Sequence, residues 1–99
     1  MTLKTITTNA GIFTDENFSD ANLLSFANKA ISRINTECKT LFPFYEAINV
    51  EYEALPSFWQ LDLLSPYISY GIKMNDSSLS EANMYLDEFY RALNNFKDN

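Results

Sequence analysis

Residues 55–96 decide the fold, and they read LPSFWQLDLLSPYISYGIKMNDSSLSEANMYLDEFYRALNNF. A polar connection over residues 74–77 separates two segments with helical spacing. Ser78 is followed three residues later by Glu81, which is the pattern of a capping box, where each side chain bonds the other residue's backbone N–H. The sequence therefore predicts that a helix begins immediately after Ser78.

The apolar residues of this last helix recur at steps of three and four, with Tyr85 and Tyr90 beside them. The remaining positions are almost wholly polar. The pattern predicts one core-facing stripe formed by Leu79, Ala82, Leu86, Phe89, Leu93 and Phe96.

The preceding segment has Pro56 where the first turn of a helix tolerates proline. A helix from Ser57 to Met74 follows if Pro66 only kinks it. Alternatively, Ser65 and Pro66 begin a new helix after a break. Both readings stay open on the sequence alone.

At helical spacing this segment has two apolar faces rather than one. Leu61, Leu64, Ile68 and Ile72 form an aliphatic face that we expect in the core. The second face is aromatic and sulfur-bearing, and we predict that it binds a partner together with Phe96; the predicted partner-binding residues are Trp59, Leu63, Tyr67, Tyr70, Met74 and Phe96. In the alternative, this helix is central, and the N-terminal arm and the segment from Phe42 to Tyr52 cover its second face.

The residue pattern of the first half of the chain predicts an arm, a helix and a loop. Residues 1–18 lack helical spacing and are interpreted as an extended arm that can carry a short strand over residues 3–8 and turns near residues 9–11. Ser19 or Asp20 caps a helix that runs to about Thr40, with an apolar side of Leu23, Leu24, Ala27, Ala30, Ile31, Ile34, Cys38 and Leu41. Pro43 stops it, and residues 40–54 are expected to form a loop with one extended or single-turn piece.

The predicted fold class is all-α, a small three- to four-helix bundle (residues 19–99) with an extended N-terminal arm (residues 1–18). Ninety-nine residues suffice for one core, and two glycines and three prolines leave few tight turns.

Charge and hydropathy argue against several classes of partner. Thirteen acidic and seven basic residues give a net charge of −6, which repels nucleic-acid phosphates and anionic lipids. No apolar run approaches the roughly 20 residues that span a bilayer, and the first residues lack the order of a secretion signal. We therefore expect a protein kept in a cytoplasm, or in a particle assembled there, without a membrane partner.

The residues for common catalytic chemistry are scarce. The chain has no histidine and one cysteine, so we expect no catalytic residues, no metal, no cofactor and no enzyme activity. Glu51 and Glu53 could form a weak site for a hard cation, but a solvated face is the better interpretation. Cys38 is predicted to be buried, raised in pKa and inert.

Several segments together carry a family resemblance: ANKAISRIN at residues 27–35, ALP at 54–56 and LLSPYISYGIKMNDSSLSEA at 63–82, followed by the amphipathic last helix. This order resembles that of the small head-to-tail connector (adaptor) proteins of long-tailed bacteriophages. The similarity spans roughly residues 18–97 and consists of helix type and spacing. The N-terminal arm has no counterpart in it.

The resemblance implies a structural virion protein that forms a homo-oligomeric ring beneath the portal protein, extends the DNA channel and docks the next connector or tail protein. DNA would pass through the ring without sticking. Such a protein is assembled in the host cytoplasm and lies at the head–tail junction of the virion. The alternative function is a small acidic regulatory module that binds a protein, such as a phage-encoded inhibitor or an antitoxin-like protein.

Overall fold

The computed structural model describes residues 1–12 and 18–98, and within them the chain forms four α-helices and no strand. The helices are α1 (Leu3–Asn9), α2 (Asp20–Cys38), α3 (Ser57–Asn75) and α4 (Leu79–Lys97). The prediction of an all-α bundle is confirmed. None of the described helices is both long and apolar enough to cross a membrane.

The first helix corrects the prediction of an extended arm with a strand over residues 3–8. Leu3 and Ile6, one turn apart, are completely buried, and the Thr2 hydroxyl caps the helix by accepting the Thr5 amide hydrogen at 3.1 Å. β-Branched residues favour strands, and a seven-residue helix is unstable by itself. Burial of Leu3 and Ile6 against α2 and α3 outweighs that preference. The predicted turn is confirmed, since Gly11 has a φ of 67°.

The second helix begins where the sequence predicts, with the Ser19 hydroxyl accepting the Asn22 amide hydrogen at 3.2 Å. It ends two residues before Thr40, because Lys39 adopts a left-handed conformation with a φ of 55°. The early end places Leu41 outside the helix, where its side chain is 96% exposed. The prediction that Leu41 belongs to the buried side of this helix is therefore wrong.

The third helix is continuous through Pro66, which decides between the two readings of that proline. It is the central helix, with its most extensive packing against α4 and further packing against α2 and α1. Gly71 brings α2 close, because a Cβ atom at this position would lie 2.6 Å from the ring of Phe26. A proline inside a helix loses one backbone hydrogen bond, and the burial of Leu64 and Ile68 around it compensates.

The fourth helix begins at the predicted residue, but the predicted capping box does not form. The Ser78 side chain makes no capping hydrogen bond, and the Ser78 amide donates to the Lys73 carbonyl at 2.9 Å. Glu81 pairs with the Lys73 ammonium at 2.7 Å instead. The Glu81 carboxylate therefore joins the start of α4 to the end of α3 by an ion pair and does not cap its own helix.

The core stripe of α4 is shorter than predicted. Ala82, Phe89 and Leu93 are buried and Leu86 is half-buried, whereas Leu79 is 60% exposed. Leu79 lies in the first turn, beside the exposed connection. The two ends of the α3–α4 hairpin are fixed by the pairs Lys73–Glu81 and Trp59–Phe96, so the helices run antiparallel.

We expect Phe89→Ala to lower the free energy of unfolding by about 3 to 5 kcal/mol, because it leaves a cavity among fully buried side chains. A domain of this size has roughly 5 to 15 kcal/mol in total. Urea denaturation measures the loss. Met84→Ala on the exposed side of α4 serves as the control and should change the value by less than about 0.5 kcal/mol. A loss below about 1 kcal/mol for Phe89→Ala would contradict this packing.

Candidate docking surface

The segment between α2 and α3 has no helix or strand, so side chains must satisfy its backbone. Asn28 and Asn35 of α2 do this in the same way. The Asn28 side-chain amide donates to the Tyr45 carbonyl at 3.1 Å and accepts the Tyr45 N–H at 2.8 Å. The Asn35 amide makes the equivalent pair with Phe42, at 3.0 and 2.9 Å.

The spacing of the two asparagines along α2 nearly equals the distance that the bound residues span in an extended chain. They are seven residues apart, about two helical turns or roughly 10.5 Å along α2. Phe42 and Tyr45 are three residues apart, which an extended chain spans in about 10 Å. Residues 42–45 therefore run extended along α2, fixed at both ends by paired hydrogen bonds.

Gln60 attaches the same segment to α3 from the other side, and only 1% of its surface is exposed. Its amide nitrogen donates to the carbonyls of Tyr52 and Leu55, at 2.9 and 2.7 Å, and its oxygen accepts the Tyr45 hydroxyl at 3.0 Å. Both N–H groups and the oxygen of this buried amide thus have partners. One side chain holds three points of the segment.

The rings of Tyr45 and Tyr52 stack with centroids 4.0 Å apart, and the Tyr52 hydroxyl donates to the Pro43 carbonyl at 2.6 Å. Burial raises the pKa of Tyr52 to about 12. Burial, and to a lesser extent the neighbouring Tyr52, also raises the pKa of Tyr45. Both tyrosines are therefore neutral structural groups at physiological pH.

Beside this fixed segment lies a patch of rings at one end of the bundle, where α2 and α4 end and α3 begins. Ring centroids are 5.2 Å apart for Phe58 and Trp59, 5.0 Å for Trp59 and Phe96, and 6.2 Å for Phe96 and Phe42. Phe58 is 63% exposed, and Leu41 immediately precedes Phe42. We call these five residues, Leu41, Phe42, Phe58, Trp59 and Phe96, the aromatic end.

Two of the six predicted partner-binding residues, Trp59 and Phe96, belong to the aromatic end, where they are half-buried. Tyr70 is half-buried and Met74 exposed towards the opposite end of α3. Leu63 and Tyr67 are buried in the protein's own core. The premise that the aromatic face of α3 is surplus to the core is wrong for Leu63 and Tyr67, because α2 and α4 cover them; the ring of Tyr67 contacts those of Phe26 and Phe89.

The sequence did not identify three members of the aromatic end, the exposed Leu41 and Phe58 and the half-buried Phe42. The exposure of Phe58 could have been predicted, because it lies one helical turn before Asp62 and therefore on the polar side of α3. The orientation of Leu41 and Phe42 could not, since it depends on where α2 ends and on the hydrogen bonds of Asn35.

The described residues provide no cluster of three or more histidine, cysteine or acidic side chains that could hold a metal ion. Glu51, half of the carboxylate pair considered for a cation, binds the amino group of Met1. Cys38 is the last residue of α2 and is half-buried, so the prediction that it is buried is wrong, but its partial burial still raises the pKa of the thiol. A raised thiol pKa lowers reactivity, in keeping with a structural role for this cysteine.

Comparison with protein-family models, curated proteins and solved structures finds no match to this chain.

We expect Gln60→Ala to destabilise the protein by about 3 kcal/mol, because it removes the hydrogen bonds of the Tyr45 hydroxyl and the Leu55 carbonyl and leaves the Tyr52 carbonyl only its longer bond to the Met1 amino group. Chemical denaturation of the full chain measures the change. Asn94→Ala, which removes an exposed amide from α4, is the matched control and should be nearly neutral. A loss below about 1 kcal/mol at Gln60 would show that this amide does not hold the segment.

The stability of the fold should fall at alkaline pH. Unfolded tyrosine titrates near pH 10, whereas the pKa of Tyr52 in the folded protein is about 12, so the folded state keeps its proton longer. Its contribution is complete below about pH 10 and is lost as the pH rises towards 12. Urea denaturation at several pH values should show this fall, and Tyr52→Phe should reduce it. Equal falls in both proteins between pH 10 and 12 would contradict the assignment.

Proposed function

We propose that this chain is a structural docking protein, and specifically a head-to-tail connector that forms a ring beneath a phage portal and receives the next connector or tail protein. The observation that carries the docking role is the aromatic end. Single exposed apolar side chains are ordinary, but here four rings form a continuous row next to an exposed leucine. Aromatic residues are enriched at the buried centres of protein interfaces.

The opposite end of the bundle offers a second surface. Met74, at the end of α3, and Leu79, at the start of α4, are both exposed next to the α3–α4 connection. Two different apolar surfaces on one subunit suit a heterologous contact, in which one surface of a subunit binds the other surface of the next. Such contacts generate a ring when the rotation from subunit to subunit adds up to a full turn. In the proposed ring, the aromatic end of one subunit packs against Met74 and Leu79 of the next.

Charge supports the passage of DNA through the ring. The net charge of −6 disfavours tight binding of phosphate groups, which a channel must avoid. The specific assignment to a connector rests on the sequence resemblance over residues 18–97. The virion, the portal partner and the downstream tail partner are parts of that proposal.

The second candidate function is the small acidic regulatory module. It is favoured by the charges between Lys39 and Lys73, which are all acidic: Glu46, Glu51, Glu53 and Asp62. A regulator that blocks a basic surface would act as a monomer or dimer. The mass of the assembly therefore separates the two functions.

Light scattering after gel filtration tests the ring, with two double variants that each damage one end. We expect the native chain to form oligomers larger than a dimer as its concentration rises. Leu41→Ser with Phe58→Ser should abolish them, as should Met74→Ser with Leu79→Ser, with unchanged helical circular dichroism. An equimolar mixture of the two variants should give a heterodimer, because each variant keeps the surface that the other lacks.

The control is Met84→Ser, since Met84 is 64% exposed on another side of α4 and matches Phe58 in exposure. It should assemble like the native chain. A native chain that stays monomeric or dimeric at every concentration would refute the ring and favour the regulatory module. Oligomers that persist in both double variants would refute the proposed surfaces.

A further inference from the structure

The segment between α2 and α3 forms a small, open surface pocket that the aromatic end does not include. Its volume is about 190 Å³, below the roughly 300 to 1,000 Å³ of typical small-molecule sites. Its walls are Pro43, Val50 and Ala54 together with three aromatic residues, Phe44, Tyr45 and Tyr52. A space of this size suits one side chain of a protein partner.

The rim of the pocket carries negative charge. Glu46, Glu51 and Glu53 line it, and all three are exposed. Glu51 binds the Met1 amino group, whereas Glu46 and Glu53 form no ion pair within the described part of the chain. The sequence has no lysine or arginine between Lys39 and Lys73, so nothing nearby in the sequence neutralises them.

We propose that this pocket receives an arginine side chain of a protein partner. An arginine combines an apolar stem with a charged, planar head, which fits apolar walls below a carboxylate rim. The ring of Phe44 is 57% exposed and can stack against a guanidinium group. Glu46 and Glu53 then supply the charge that the guanidinium group requires.

The pocket is built in advance of binding. Tyr45 is held by Asn28 and Gln60, and Tyr52 is held by Gln60 and by its own bond to Pro43. Phe44 lies between two anchored residues, Pro43 and Tyr45. Little ordering is needed when a side chain enters, and such preorganisation raises affinity.

This inference rests on the docking role proposed above, but it does not depend on the ring. The light-scattering experiment tests the ring with variants outside the pocket. The experiment below follows peptide binding to a single chain. If the ring does not form, the peptide experiment can still test the pocket, and if the peptide does not bind, the light-scattering result still stands.

The test uses the isotope-labelled full chain and a short capped peptide of alternating leucine and arginine, followed by the NMR shifts of backbone amides. A second peptide replaces each arginine by citrulline, which keeps the shape and removes the charge. We expect the arginine peptide to shift amides within residues 44–54 and the citrulline peptide to bind at least about fivefold more weakly. Equal binding of both peptides, or shifts confined to other residues, would overturn the proposal.

Charge variants supply the matched control. Glu46→Gln with Glu53→Gln should weaken the arginine peptide about fivefold, and Phe44→Ser should weaken it as well. Asp87→Asn with Glu88→Gln on α4 removes the same amount of charge from elsewhere and should leave binding unchanged. Equal weakening by the α4 pair would mean that only net charge matters and would overturn the site. The same amide shifts on addition of calcium chloride would also overturn it, by assigning the carboxylates to a metal ion.

Discussion

The buried amide of Gln60 is the interaction on which the rest of the structure depends. It joins α3 to three points of a segment that has no helix or strand of its own. Asn28 and Asn35 hold the same segment from α2. Three side-chain amides thus make the backbone hydrogen bonds that a neighbouring strand would supply in a sheet. A buried polar group without partners is costly, which makes this arrangement cooperative: the loss of one amide leaves several groups unsatisfied.

These anchors determine which side chains face outward. Because Phe42 and Tyr45 are bound to α2, the residues beside them, Leu41 and Phe44, are left exposed. The start of α3 is held next to the segment by Gln60, which brings Phe58 and Trp59 to the same end as Phe96. The aromatic end and the walls of the proposed pocket thus depend on how the segment is anchored.

Much of the fold could be predicted from the sequence, because it depends on local patterns. The start of α2 follows from the Ser19 cap, and the buried stripe of α2 follows from apolar spacing. The helix α4 begins at the predicted residue, although the Ser78 side chain makes no capping hydrogen bond. The first helix could not be predicted, since its seven residues depend on the burial of Leu3 and Ile6 against distant helices. The burial of Leu63 and Tyr67 likewise depends on how α2 and α4 are placed.

The candidate site was less predictable than the fold. Trp59 and Phe96 were identified, but the exposure of Leu41 and the contacts of Phe42 depend on Lys39 ending α2 and on a long-range hydrogen bond to Asn35. Residues 41–46 are held rigidly by these side-chain hydrogen bonds despite lacking regular structure. Backbone NMR order parameters for these residues test this rigidity most directly. We expect order parameters of about 0.85, as in the helices, and values below about 0.6 would contradict a rigid segment.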